Sequence, residues 1–285
     1  MATDTATRVL FDEPGPRGRT RILASTVVAA VLVVALVAGA VWQFAVHGQL
    51  AAYKWQFFTY SAIVKALIVD GIGNTFLAMA VAAVVAFPFG LVLALGRLSK
   101  QPVLSRVSTA WIEFFRSMPM ILVVYAFLLA LPRFGLVLPV FWMLVVPMIL
   151  VSSASTAEVF RAGIKAVDKG QWEAAQSLGM GPGLVRTQIV LPQAFRIVLP
   201  NLLTGLVSLL KDSTLGYIVS YGELMQQGKE LVAYYHYMIQ TYLVIALIYV
   251  LINWLLTRLA SWLQARMGTR RVAAGPIVVD LEPAQ

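Results

Sequence analysis

The stretch ILASTVVAAVLVVALVAGAVWQFAV, residues 22–46, carries no charged side chain over 25 residues. As a helix rising about 1.5 Å per residue it is about 37 Å long, enough to cross a hydrocarbon layer about 30 Å thick. It exceeds the roughly 7–15 apolar residues of a signal-peptide core and follows some twenty polar residues, so it reads as a retained span and not as a cleaved leader. Five further apolar stretches follow, at about 66–95, 117–131, 137–160, 200–220 and 237–259. Pro88 lies inside the second, and Pro147 is expected to kink the fourth. Six crossings predict an all-α, polytopic membrane helix bundle.

Composition points the same way. Hydrophobic residues make up 60 % of the 285, and charged residues 12 %, against about 25 % charged in a soluble protein. Too few charges remain to cover a soluble surface, and the apolar content excludes a disordered chain. The net charge of +9 suggests nucleic acid in a soluble domain; here it reads as the cationic excess of cytoplasmic loops. With the N-terminus inside, the inner segments hold 17 Lys and Arg and the outer ones 4, so the expected topology is N-in and C-in. The first twenty residues and those from 263 onward read as cytoplasmic tails.

Several chemistries are excluded. There is no cysteine, and His47 and His236 are the only histidines, which argues against a metal site. No Gly-x4-Gly-Lys-Ser/Thr loop exists, because the one Gly-Lys pair, Gly228-Lys229, is followed by Glu230. ATP and its magnesium, if used, belong to another chain.

The segment between the fourth and fifth spans is long for a hairpin connection. It reads Lys169-Gly-Gln-Trp-Glu-Ala-Ala-Gln-Ser-Leu-Gly-Met180, then Gly181-Pro-Gly183, then a second apolar stretch up to Pro192. Gln171 to Leu178 favours helix. Gly179 is a helix stop, Gly181-Pro182-Gly183 is expected to turn, and a second short helix should follow. Trp172, Ala175, Leu178 and Met180 offer apolar contact, Glu173 offers charge, and Ala174 and Ala175 permit close backbone approach. Such a helix suits a groove on a partner.

The spacing Glu173-Ala174-Ala175, three residues, Gly179, nine residues, Ile189, one residue, Leu191-Pro192 resembles the EAA loop of bacterial ABC importer permeases. Ala157–Ile164, Gly170–Ala175, Leu191–Ile197 and Ser208–Leu215 are similar to its polar amino acid uptake branch (histidine, glutamate and glutamine types). So is Phe114–Pro119, with Ser117 and Met118 in place of Gly-Thr. The resemblance covers roughly residues 67–262 and implies a type I, MetI-like permease core, preceded by an extra helix at 21–46, with a coupling loop at about 161–196. It implies that Trp172, Glu173, Ala174, Ala175, Leu178, Gly179 and Met180 form a coupling helix seated on an ATPase subunit, with Glu173 in contact and Gly179 at the bend. It also implies a second permease (identical or homologous), two ATP-binding subunits, an extracytoplasmic binding protein, and residence in the bacterial plasma membrane among its lipids. The chain itself is then not an enzyme and binds no nucleic acid.

Polar residues deep in spans are candidates for the substrate path. Lys211 and Asp212 sit near the middle of the fifth span, where a charge costs at least about 2.5–3.5 kcal/mol. They face a cavity or a partner, either lining the path or pairing structurally. With Ser213, Asn74 and Thr75 they form the candidate set, although Asn74 and Thr75, beside Gly71 and Gly73, fit helix packing better. Glu158 is expected to pair with Arg161 one turn away. Trp111, Trp142, Trp254 and Trp262 read as interfacial anchors. The single deep acid, next to a lysine, favours a glutamate- or glutamine-like cargo over a basic one. An ion-gradient-driven secondary transporter is the main alternative, with interrupted helices and no docking helix; a membrane scaffold is a further one.

Overall fold

The computed structural model describes residues 15–266, all helix and connecting turns. The expected tails at 1–20 and 263–285 lie largely outside the described residues. The chain divides at Phe58 into two units.

The first unit is dominated by α1 (Pro16–Val46), which Pro16 starts at the first helical position. Its first turns carry Arg17, Arg19 and Arg21, it is uncharged from Ile22 onward, and none of its residues is buried. The strand of chain after it turns back through a short helix at Tyr53–Gln56, where the Trp55 indole donates to the Gln49 carbonyl at 3.0 Å.

The second unit is built on α2 (Ser61–Arg97), α3 (Pro102–Ser117), α4 (Met120–Phe134), α5 (Val140–Ala166), α6 (Lys169–Ser177), α7 (Pro182–Ile218), α8 (Leu224–Tyr235) and α9 (Met238–Arg266). Among the described residues five helices are long and apolar enough to span a membrane, and six if α3 and α4 count as one bent span. The third predicted crossing, 117–131, falls on α4, which qualifies as a span only together with α3 across a bend of 100°. Pro119 excludes helical geometry at Met118, which is extended with ψ 129°, so the turn forms with Ser117-Met118 as it stands.

The centre of the bundle is legible in one stripe of α2. Ala78, Ala82, Ala86, Gly90 and Ala94 recur every four residues, and all are buried. Small side chains at that spacing let α5 approach closely. A Cβ on Gly90 would lie 2.7 Å from the Thr156 Cβ. Leu144, Val145 and Met148 of α5 complete this core, with Leu209 and Leu210 of α7. Gly163 plays the same part between α5 and α7, where a methyl group would strike Val198.

Three expectations need correction. Gly181-Pro182-Gly183 is not a turn: Gly181 is the N-cap of α7 and Pro182 occupies its first turn, a position whose fixed φ suits a helix start. The second short helix is not separate either, because α7 continues past Pro192 and Pro200. Val185–Val190 winds as a wide π turn just before Pro192, which gives the ring room against the preceding carbonyls. Trp111 is no anchor. It packs edge-on to Phe89, with centroids 5.4 Å apart, and its indole donates to Ser153 Oγ at 3.5 Å. Trp254 and Trp262 remain about half exposed, each beneath an arginine of α9, Arg258 and Arg266.

Candidate coupling face and transport path

The connection from α5 to α7 is made locally. Val167 is extended and buried, which ends α5. Asp168 caps α6, its Oδ1 accepting from the Gly170 N–H at 2.6 Å. At the other end Gly179 takes φ +80°. The Gly179 N–H donates to the Gln176 carbonyl at 2.9 Å, and the Met180 N–H to the Ala175 carbonyl at 3.2 Å. This is the paired closure of a Schellman motif, which demands a left-handed residue where glycine stands.

The seven residues assigned to coupling divide between two faces. Trp172, Ala175 and Met180 turn inward, against Ile164, Val185, Val190 and Ala194. Gln193 of α7 donates to Gln171 at 3.2 Å and holds the same seat. Glu173, Ala174, Leu178 and Gly179 face outward. Leu178 is 83 % exposed, and the Glu173 carboxylate has no partner among the described residues. One face therefore seats the helix, and the other presents a carboxylate and a leucine that the chain leaves unused.

At the inner ends of the spans the Glu158–Arg161 pair is present, with Nη2 to Oε2 at 2.6 Å, but it is one contact of a larger network. Arg97 of α2 reaches Glu158 Oε1 at 2.6 Å and Glu113 of α3 at 3.2 Å, and Arg116 lies 4.0 Å from Oε2. Three helices are thus tied beside the coupling loop by charge-assisted bonds. Five charged residues at successive span ends are the sequence signal for it.

Further along α7 the α-helical geometry stops at Asp212 and tightens to 3₁₀ over Ser213–Ile218. Lys211 is exposed and Asp212 half-buried, and neither side chain has a hydrogen-bond or ion-pair partner among the described residues. Ser213 differs: it is fully buried, and its hydroxyl donates to the Leu210 carbonyl at 2.7 Å. A cleft of about 360 Å³ opens beside this turn, lined by Thr214, Tyr217, Met225, Tyr242 and Tyr249.

Asn74 and Thr75 hold the next loop in place. Asn74 Nδ2 donates to the Gly222 carbonyl at 2.8 Å, and Thr75 Oγ1 accepts from the Leu224 N–H at 3.2 Å. Gly71 lets Leu224 sit against α2, whereas Gly73 faces open space. Beside them is a group that the sequence did not single out. Glu223 is fully buried, accepts from the Met225 and Gln226 N–H groups at 2.8 Å each, and accepts from the Tyr249 hydroxyl at 2.8 Å. Burial pushes its carboxyl up to about 7, against the pull of those three donors.

A raised carboxyl pKa means that the folded state keeps a proton which the unfolded state releases. Stability from this group is complete below about 4.5, declines as pH rises, and is gone above about 7. Melting temperatures of the detergent-solubilised protein across pH 4.5–7 should show this decline, and Glu223→Gln should flatten it; an unchanged slope in the variant would exclude Glu223 as its source.

Residues 86–269 match the family model described as binding-protein-dependent transport system inner membrane component. The chain belongs to this family. It is thus a multi-pass inner membrane component of a binding-protein-dependent transport system. It is 34 % identical over 207 residues to the amino-acid ABC transporter permease YhdY of Escherichia coli K12, covering 70 % of this chain and 56 % of that protein. The chain therefore spans little more than half the length of YhdY. It is 31 % identical over 210 residues to the probable glutamine permease GlnP of Bacillus subtilis, covering 73 % of this chain and 96 % of the relative. With the glutamate permease GluD of Corynebacterium glutamicum the identity is 32 % over 229 residues, 79 % of this chain and 84 % of the relative. A solved amino acid ABC transporter structure aligns with TM-score 0.67 and 30 % identity, over 70 % of this chain and 94 % of that one. The inward-facing methionine transporter MetNI shares the fold at TM-score 0.59 and 19 % identity, over 74 % and 98 %. This is the type I ABC importer permease fold.

Proposed function

We propose that this family member carries a polar amino acid inward as the transmembrane subunit of an ATP-driven importer, with glutamate or glutamine as the favoured class. It pairs with a second permease and with two ATP-binding subunits, which hold ATP and magnesium. An extracytoplasmic binding protein delivers cargo to the outer face. The observation that carries this reading is the outward face of α6. It offers Glu173 and Leu178 to a partner while Trp172, Ala175 and Met180 anchor the same helix to the bundle, so a push on one face is passed to α5 and α7. Lys211 and Asp212, unpartnered where α7 changes winding, supply complementary charges for the carboxylate and amino group of an amino acid. Ser213, Asn74 and Thr75 position the surrounding backbone. The core extends over about 67–262, with α1 an added element.

Competition uptake in a strain lacking this chain and complemented with it tests the substrate class. Unlabelled glutamate and glutamine should suppress labelled uptake, while arginine and histidine should not; suppression by the basic pair alone would overturn the class. The interrupted α7 also suits an ion-driven transporter. Uptake by this chain alone in liposomes, driven by an ion gradient without any ATPase, would establish that alternative.

A further inference from the structure

A second cleft, of about 320 Å³, lies where α5, α6 and the start of α7 meet. Its charged lining is entirely cationic: Lys165 from the last turn of α5, Lys169 from the first turn of α6, and Arg186 from the π turn of α7. None of the three has an ion-pair partner among the described residues. One carboxylate, Asp168, stands next to Lys169 in sequence; its Oδ1 caps α6 by accepting from the Gly170 N–H, and it does not line the cleft. Trp172 also lines the cleft, and its indole N–H has no acceptor among the described residues. The remaining wall is apolar, formed by Leu98, Ile164 and Val167. Every polar side chain of the lining is thus a donor, set beside a surface that suits hydrocarbon.

This chemistry selects an anion with an apolar body. Three cations line the cleft and no carboxylate does, so a bound phosphate would offset their mutual repulsion. The cleft lies at the inner end of two spans, given the cytoplasmic orientation of the coupling loop on which this inference rests. At that depth the abundant anionic amphiphile is the phospholipid of the inner leaflet, and basic clefts between spans on this side take such headgroups. We infer that the cleft holds the phosphate of an anionic phospholipid, with Trp172 and Leu98 against its glycerol and upper chain. Because Trp172 is also the inward anchor of α6, the lipid would brace the coupling helix from the membrane side.

Native mass spectrometry of the full-length protein, released from bilayers of phosphatidylcholine doped with phosphatidylglycerol, tests this directly. The protein should retain phosphatidylglycerol over phosphatidylcholine by roughly tenfold or more, as clustered basic side chains do. The variant Lys165→Gln/Lys169→Gln/Arg186→Gln should lose that preference. A control that removes three other cations predicted to be cytoplasmic, Lys100→Gln/Arg106→Gln/Arg196→Gln, should keep it. Equal retention of the two lipids by the unsubstituted protein would overturn the inference whatever the variants do. So would equal loss in the control, which would mean general surface charge. Displacement by inorganic phosphate at low millimolar concentration would reassign the cleft to a free anion. Because the readout is lipid retention and not uptake, its failure leaves the transport reading standing.

Discussion

Replacing Glu173 by lysine is expected to abolish ATP-driven uptake while leaving the protein in the membrane at normal abundance. The side chain is exposed, has no partner among the described residues and lies on a helix whose caps and inward anchors are elsewhere, so the seating of α6 does not depend on its charge. A carboxylate meeting a donor across a protein interface contributes about 2 kcal/mol or more, and a reversed charge costs further. Association with the ATP-binding subunit should weaken by roughly thirtyfold or more, the factor that 2 kcal/mol represents. Co-purification yield and transport-coupled ATP hydrolysis report it. Glu173→Gln, which keeps an acceptor oxygen, should be milder. Uptake at the unsubstituted rate in Glu173→Lys would remove Glu173 from the interface.

The second large effect is expected at Lys211 and Asp212. Two charges in one turn of a membrane helix, neither paired among the described residues, are costly unless a ligand or a second subunit uses them. They also stand where α7 gives up α-helical winding, so backbone polar groups become available beside them. Lys211→Ala should raise the KM for the amino acid by roughly thirtyfold, the loss of about 2 kcal/mol for a charged contact. Asp212→Asn should act similarly on a zwitterionic cargo. Substrate-stimulated ATP hydrolysis would fall with uptake, while basal hydrolysis and assembly stay intact. If both variants transport with unaltered affinity and rate, the pair is structural, meeting the second permease.

The parts of this account that were legible in the sequence are those decided by short-range rules. Length and charge content mark the spans, and Gly179 ends α6 through bonds reaching only a few residues. What escaped depends on distant partners. The division of α6 into two faces is set by Val185, Val190 and Ala194 of α7; from its own sequence, Trp172 is as good an outward contact as Leu178. Glu223 resembles any loop acid until Met225, Gln226 and Tyr249 supply its donors. For Asn74 and Thr75 the sequence favours packing over the substrate path but does not give the partner, because their hydrogen bonds go to a loop about 150 residues away.

In the assembled transporter the outward face of α6 is expected to meet a separate ATPase. Site-specific photocrosslinking tests it most directly, with the photoreactive residue placed at Leu178 or at Tyr234 of α8 in cells expressing the whole transporter. Both positions are well exposed in this chain, at 83 % and 78 %. An adduct is expected between position 178 and the ATP-binding subunit, and none from position 234. No adduct at 178 in the assembled transporter, with the helix open to water, would contradict it.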